Sequence, residues 1–395
     1  MKQSGIDWIG EIPDDWNVNK IDSLYILRNT KVSDKDYPPL SVTMQGIVPQ
    51  LATAAKSDDG DNRKLVKKGD FAINSRSDRR GSSGVSAYDG SVSLINTILT
   101  PRGEMNPIYY NWLFHTIQFE DEFYKWGHGI VDDLWTTRWQ DMKNIFIVVP
   151  PKATQQRIAE YLDSKCAQID SIIEESKKSI EEYKAWKQSV IFEEVTGKNL
   201  NCKKKDSGIE WIGEIPEGWK CLSLKNLCSM QAGKNLISEQ IASSGLYPVY
   251  GGNGIRGWYD DFNTDGDYIL IGRQGALCGN VHKVSGKFWA TEHAVVTTSK
   301  RLFVMVEFLY YLLVGMNLNQ YASNSAAQPG LSVNAILNVK TILPPLHEQE
   351  TIAKMLDSKC AQIDSLVAEK ESLIADLKEY KKSLIFEVVT GKRSV

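Results

Sequence analysis

The sequence predicts an α+β protein: two α/β domains separated by two long helices packed as an antiparallel coiled coil, the whole forming a pseudo-twofold internal repeat. Three observations carry this expectation. The chain is written twice, with leaders and tails that are nearly identical. Each tail places apolar residues at the alternating three- and four-residue spacing of a coiled-coil seam. With 395 residues, there is also enough chain for two or three domains that each bury a core.

The repeat comes first. Ser4–Pro13 recurs as Ser207–Pro216 with one conservative change, Asp7 to Glu210, and each copy closes on a tryptophan, Trp16 and Trp219. Leu162–Ser171 returns unchanged as Leu356–Ser365. The tails end alike, on Val195-Thr196-Gly197-Lys198 and Val389-Thr390-Gly391-Lys392. We therefore divide the chain into a leader with a first domain (1–150), a first long helix (151–203), a second leader and domain (204–343) and a second long helix (344–395). The middles share only an echo. Lys68–Arg76 lines up with Asp265–Arg273, a turn and then an apolar run ending on arginine, and Ile145–Pro151 lines up with Val339–Pro345. A common frame with divergent inserts suits a shared partner contact plus two different recognition surfaces; plain drift after duplication is the alternative.

In the first tail the seam runs through Ile158, Leu162, Cys166, Ile169, Ile173, Ile180, Tyr183 and Val190. In the second it runs through Ile352, Leu356, Cys360, Ile363, Val367, Ile374, Leu377 and Leu384. Ser176 and Lys370 interrupt it at one matching place, Lys187 and Lys381 at another. Diproline at Pro150-Pro151 and Pro344-Pro345 blocks extension backwards, and Gly197 and Gly391 can supply the left-handed residue after a helix end. Each helix is then roughly 40 residues, or about 60 Å.

Composition narrows the function. Lys+Arg 46 against Asp+Glu 49 gives a net charge of −3, so any nucleic-acid contact must come from local patches. The opening Met1–Gly5 lacks a charged-then-apolar leader and no apolar run is long enough to span a bilayer, so we expect a cytoplasmic protein without a membrane partner. The six cysteines form no CxxC pair and the five histidines no ligand spacing; buried free thiols and no metal site are expected. No nucleophile, metal-protease or phosphate-loop motif is present. Gly252–Gly257 matches GxGxxG, but no helix start follows, so a hairpin allowing close backbone approach is expected instead.

Candidate DNA-binding residues cluster in the middles. Ser75, Arg76, Arg79, Arg80 and Ser82 combine guanidinium and hydroxyl groups that suit phosphate oxygens and guanine edges, with Lys125 and His128 in a later turn. In the second middle the candidates are Asn253, Arg256, Arg273, Gln274, Asn324 and Gln328, amides being the usual readers of adenine.

The Trp-Ile-Gly-Glu-Ile-Pro leader, the diproline before a long helix, the Ile-Phe-Glu and Val-Thr-Gly tail, and the Gly-Gly-Asn-Gly-Ile and Ile-Gly-Arg-Gln-Gly segments resemble the specificity subunit of type I restriction-modification systems. The resemblance covers essentially the whole chain. It implies two target-recognition domains that each read one part of a bipartite double-stranded DNA sequence, and helices that separate them and bind modification subunits, two in number. It also implies a chain that does no chemistry. S-adenosylmethionine and adenine methylation would belong to the modification subunit, and cleavage to a restriction subunit. In keeping with this, the nearest string to an Asn-Pro-Pro-[Phe/Tyr] methyltransferase motif is Asn106-Pro107-Ile108-Tyr109, without the second proline. The alternative left by the residues alone is a coiled-coil scaffold whose middles bind protein or carbohydrate.

Overall fold

The computed structural model describes residues 1–50, 60–130, 135–275, 277–300, 302–322 and 330–395. The chain divides into two compact units, Met1–Ser176 with Ser372–Val395, and Lys177–Glu371. Each unit thus owns one leader, one middle, the first part of one long helix and the last part of the other.

The first unit is built on a four-stranded antiparallel sheet in the order Ser83–Val85, Phe71–Asn74, Asn96–Pro101, Tyr25–Arg28. The Phe71–Asn74 strand is buried along its whole length, as its uninterrupted apolar run requires. A three-stranded sheet and the Leu40–Thr43/Gly46–Pro49 hairpin complete the middle. Phe146–Val149 pairs with Asn17–Lys20 beside the leader. The second unit repeats the central sheet strand for strand: Val281–Val284, Tyr268–Gly272, Ala294–Ser299, Cys228–Ala232. Lys340–Leu343 pairs with Lys220–Ser223, the counterpart of the leader strand pair. Both echoes read in the sequence are therefore equivalent strands. The second middle differs by a mixed sheet in which Tyr247–Gly251 pairs with Gly254–Tyr259 as a hairpin, so the GxGxxG string is a turn, as expected.

The long helices are Lys152–Thr196, 45 residues, and Leu346–Val389, 44 residues. They exceed the predicted 40 because helix begins directly after each diproline, where proline's missing N–H costs nothing. Both end in the expected left-handed glycine, φ +70° at Gly197 and +73° at Gly391. There Lys198 N–H reaches the Glu193 carbonyl at 2.9 Å and Lys392 N–H the Glu387 carbonyl at 2.8 Å, satisfying last-turn acceptors.

Burial follows the seam with a defined exception. Ile158, Leu162, Cys166, Ile169, Ile173, Ile180 and Val190 are buried, as are Ile352, Leu356, Cys360, Ile363 and Leu384, whereas Tyr183, Val367, Ile374 and Leu377 are only half-buried. Fully burying a leucine such as Leu162 or Leu356 contributes about 1.5–3 kcal/mol. Of the polar interruptions, Lys187 and Lys381 have partners on the facing helix. In the second unit Lys187 Nζ donates to Asp364 at 2.7 Å and Lys359 Nζ to Glu194 Oε1 at 3.0 Å; positions advance on one helix as they recede on the other, so this part of the pair is antiparallel. In the first unit the equivalent Lys381 Nζ donates to Asp170 at 2.6 Å.

The repeated words of the sequence are repeated joints. Gln155 and Gln349 are buried, and each accepts from a domain backbone N–H, Asn106 and Met305, at 2.9 Å. Each also donates to a proline carbonyl, Pro150 and Pro344, at 2.9 Å. Asp163 accepts from Trp112 Nε1 at 2.8 Å, and Asp357 from the Tyr311 hydroxyl at 2.6 Å. Each leader packs on the tail contributed by the other half. Ile9, Ile12 and Trp16 share a core with Leu384, Ile385, Val388 and Val389, and Ile209, Ile212, Ile215 and Trp219 share one with Val190, Ile191 and Val195. Lys392 closes the first joint by donating to the Ile9 and Glu11 carbonyls.

The cysteines correct one expectation. Cys166, Cys228, Cys278 and Cys360 are buried free thiols, but Cys202 and Cys221 are exposed, the first between helix and leader, the second on a short strand facing solvent.

Candidate nucleic-acid interface

In the first unit the chain leaves the buried Phe71–Asn74 strand into a tight loop that returns at Ser83. The loop is held from beneath. The Ser75 hydroxyl donates to the Ile95 carbonyl, Asn74 Oδ1 accepts from the Arg76 N–H at 3.1 Å, and Thr137 N–H donates to the Ser75 carbonyl at 2.9 Å. Gly81, at φ +71°, leaves room for Glu120, whose Oε1 would lie 2.8 Å from a Cβ there. Burial pushes the Glu120 carboxyl upward, against the pull of Arg80.

A groove of about 570 Å³ opens beside this loop, lined by Arg79, Arg80, Asn96, Gln50 and the Ser41–Met44 hairpin arm. Arg79 is well exposed, its Nε 3.6 Å from Asp78. Arg80 is steered by an ion pair with Asp121 and lies over the Tyr124 ring, 5.3 Å from its centroid, with Trp135 stacked beyond at 5.5 Å. Arg76 is exposed on the same loop. Ser75 and Ser82 are both buried; Ser82 still lines the groove, whereas Ser75 shapes the loop from beneath. Lys125 and His128 are not brought to it: Lys125 ends the Ile117–Lys125 helix and pairs with Glu122 at 3.4 Å, and His128 Nε2 lies 3.3 Å from Asp141. Sequence reasoning missed Arg63, a groove-lining arginine that is nevertheless buried and bonded to Ser91, its pKa lowered by burial. It also missed Met44, an apolar tip at 72% exposure whose signal was its place in a polar Thr-Met-Gln-Gly turn.

The second unit has a groove of about 540 Å³ at the corresponding strand end, after Tyr268–Gly272. It gathers Asn253, Arg256 and Gln274, three of the predicted residues, with His293, Ile255 and Leu277, which were not predicted. Gly251 is needed here because a Cβ would sit 2.4 Å from Arg256 Cδ. Asn253 Oδ1 accepts from Asn280 Nδ2 at 3.0 Å, which leaves its NH2 as donor. Arg273 is half-buried, and its backbone N–H donates to the His293 carbonyl at 2.9 Å. Asn324 and Gln328 lie outside the described residues. Among the described residues no cluster of His, Cys, Asp and Glu is placed to hold a metal ion, and no helix is long and apolar enough to cross a membrane.

Comparison with known proteins agrees with this architecture. Residues 216–374 match the family model of the type I restriction modification DNA specificity domain. The type I restriction enzyme EcoprrI specificity subunit of Escherichia coli is 45% identical over 34% of this chain, a match spanning only 34% of that protein's length. The MjaVIII specificity subunit of Methanocaldococcus jannaschii is 25% identical over 96% of this chain and 93% of its own. Among solved structures, one described as the structural basis of complex assembly and conformational transition of the type I R-M system superposes with a TM-score of 0.75 at 15% identity, covering 97% of this chain and 100% of that one. The HsdS subunit from Thermoanaerobacter tengcongensis gives 0.56 at 16% identity over the full length of both. At such identities the structures speak for the fold alone. Along its whole length the chain resembles the specificity subunits of type I restriction-modification systems, and residues 216–374 carry the matching specificity domain.

Proposed function

We propose that this chain is a non-catalytic recognition subunit that reads a bipartite, gapped target in double-stranded DNA and positions adenine methyltransferase subunits, two of them, on it. One observation carries the reading: two equivalent strand ends, after Asn74 and after Gly272, each open onto a groove, and the frame is nearly the same in both halves while the groove residues differ. Arg79 and Arg80 in one groove, and Asn253, Arg256 and Gln274 in the other, supply the donors that base edges and phosphates accept from. Lys125, His128 and Arg273 are proposed contacts of lower rank, because the geometry does not gather them in a groove, and Asn324 and Gln328, outside the described residues, remain proposed contacts on residue type alone.

Partner binding falls to the repeated helices. Exposed apolar side chains recur at equivalent helix positions, Ile172 and Leu366, Trp186 and Tyr380, which is what two copies of one partner require. S-adenosylmethionine would be held by that partner, and a restriction subunit would join the same assembly. Methylating a base within a duplex requires flipping it out, so the present chain's part is to hold the DNA in register.

The test is to express the chain with a modification subunit in a host free of adenine methylation and map N6-methyladenine across the genome. One gapped motif methylated on both strands is expected. A well-formed complex with no methylation above background would overturn the reading.

A further inference from the structure

The second groove contains a histidine–amide hydrogen bond, with an acidic neighbour beside the ring, that the proposed reading leaves unused. His293 Nδ1 lies 3.0 Å from Gln274 Oε1, and His293 Nε2 lies 3.2 Å from Glu292 Oε1. The backbone beneath is pinned, with Thr291 N–H donating to the Tyr250 carbonyl and Arg273 N–H to the His293 carbonyl, both at 2.9 Å. Glu292 Oε2 is buried without a hydrogen-bond partner, while Gln274 is exposed on the groove wall.

A carboxylate only accepts, so Glu292, 3.2 Å from Nε2, favours the neutral tautomer that carries its proton on Nε2. Gln274 then answers to Nδ1. When Nδ1 is protonated, the ring donates to Oε1 and the amide turns its NH2 toward the groove. When Nδ1 is bare, it accepts one amide N–H, and Oε1 faces the groove instead. The two ends of an amide are nearly the same size, so both orientations fit the same space.

We propose that His293 is a positioning residue whose protonation sets which end of the Gln274 amide reads DNA, and therefore which base the second domain accepts at that position. This rests on the DNA-recognition reading above. With NH2 outward, Gln274 offers donors only, matching guanine N7 and O6 or thymine O4. With Oε1 outward and one N–H still available, it offers the acceptor-donor pair that adenine N6 and N7 require. Among the described residues, Glu292 lies beside the imidazole and Arg256 lines the same groove, while Arg273 adjoins Gln274 in the chain. Asn253 serves as an internal reference, because its oxygen is already committed to Asn280.

The full chain, assembled with a modification subunit, is used to select from randomised duplexes at about pH 5.5 and about pH 8.5, which bracket the range where imidazoles titrate. At one position of the second half-site, preference is expected to move about tenfold from adenine at the higher pH toward guanine or thymine at the lower. His293→Asn should abolish the pH dependence of that base preference, whatever it does to affinity. Unchanged preference at both pH values in the unmodified protein would overturn the proposal. A second readout needs no DNA: the side-chain 15N–1H pair of Gln274, identified by its loss in Gln274→Leu, should titrate in the free chain and stop doing so in His293→Asn. A flat signal overturns the hydrogen-bonded switch. A titrating amide with no base preference at either pH overturns the DNA reading, and with it the base-reading role.

Discussion

Replacing Gly197 by alanine tests the joint between a helix tail and the leader of the second unit. Gly197 sits at φ +70°, and an added Cβ would meet Pro216 Cδ and Cγ at 2.7 Å and the Trp219 ring at 3.0 Å. Two costs combine. The left-handed backbone charges any residue with a Cβ roughly 1–2 kcal/mol, and forcing a methyl into a packed joint adds roughly 1–3 kcal/mol. Gly208, in the same leader, has φ +64° and nothing within 4 Å of its would-be Cβ, so Gly208→Ala carries only the backbone term. Urea unfolding followed by tryptophan fluorescence reads both, since Trp219 is buried in the joint. Gly197→Ala should lose about 1–3 kcal/mol more than Gly208→Ala. Gly391→Ala, facing Pro13 at 2.4 Å and Trp16 at 3.1 Å, should behave like Gly197→Ala. Equal losses for Gly197→Ala and Gly208→Ala would refute the packing of leader on tail.

Lys187→Ala should cost less than about 1 kcal/mol, and less still in high salt, because Asp364 is largely exposed; a loss above about 2 kcal/mol in urea melts would contradict that. Alkylation at about pH 8 should label Cys202 and Cys221 within the folded chain and the other cysteines only after unfolding, as mass spectrometry can show, because burial pushes the Cys166 thiol up to about 11 and Cys228 up to about 12. The same shifts set a sign. Unfolded thiols ionise nearer 9, so the unfolded state loses its protons first and stability should fall as pH climbs from there toward 11 and 12. Arg256→Ala should weaken DNA binding by the assembled complex and, where the contact is to phosphate, lower the salt slope by about one, measured by titration at several salt concentrations. A heptad inserted after Lys178 adds about 10 Å of helix, or about three base pairs of rise, and should lengthen the unread spacer in methylome maps without changing either half-site.

The frame was legible because its physics is periodic. A seam spaced by three and four, a diproline before a helix and a glycine after it each act within a few residues of themselves, and Lys68–Arg76 and Asp265–Arg273 proved to be equivalent strands. The grooves were legible only in part. Residue type announced that Arg79, Arg256 and Gln274 could donate, but not that Ser75 would turn inward or that Lys125 and His128 would find acidic neighbours elsewhere. His293 went unnoticed for the same reason. It lies nineteen residues from Gln274 in sequence, and only the Lys287–Ala290 to Ala294–Ser299 turn delivers it to the amide. Likewise Lys187 and Lys381 read as blemishes in the seam until Asp364 and Asp170 were seen to face them.

The first unit borrows its last piece, Ser372–Val395, from the far end of the chain, and the Tyr109 hydroxyl bonds the Val389 carbonyl at 2.7 Å across 280 positions. During synthesis, the first unit must therefore wait beside the ribosome with part of its core open until Ser372–Val395 has emerged. A chain broken before Ser372 would thus lose part of the first unit's core, and the damage would fall on residues about 200 or more positions away in sequence.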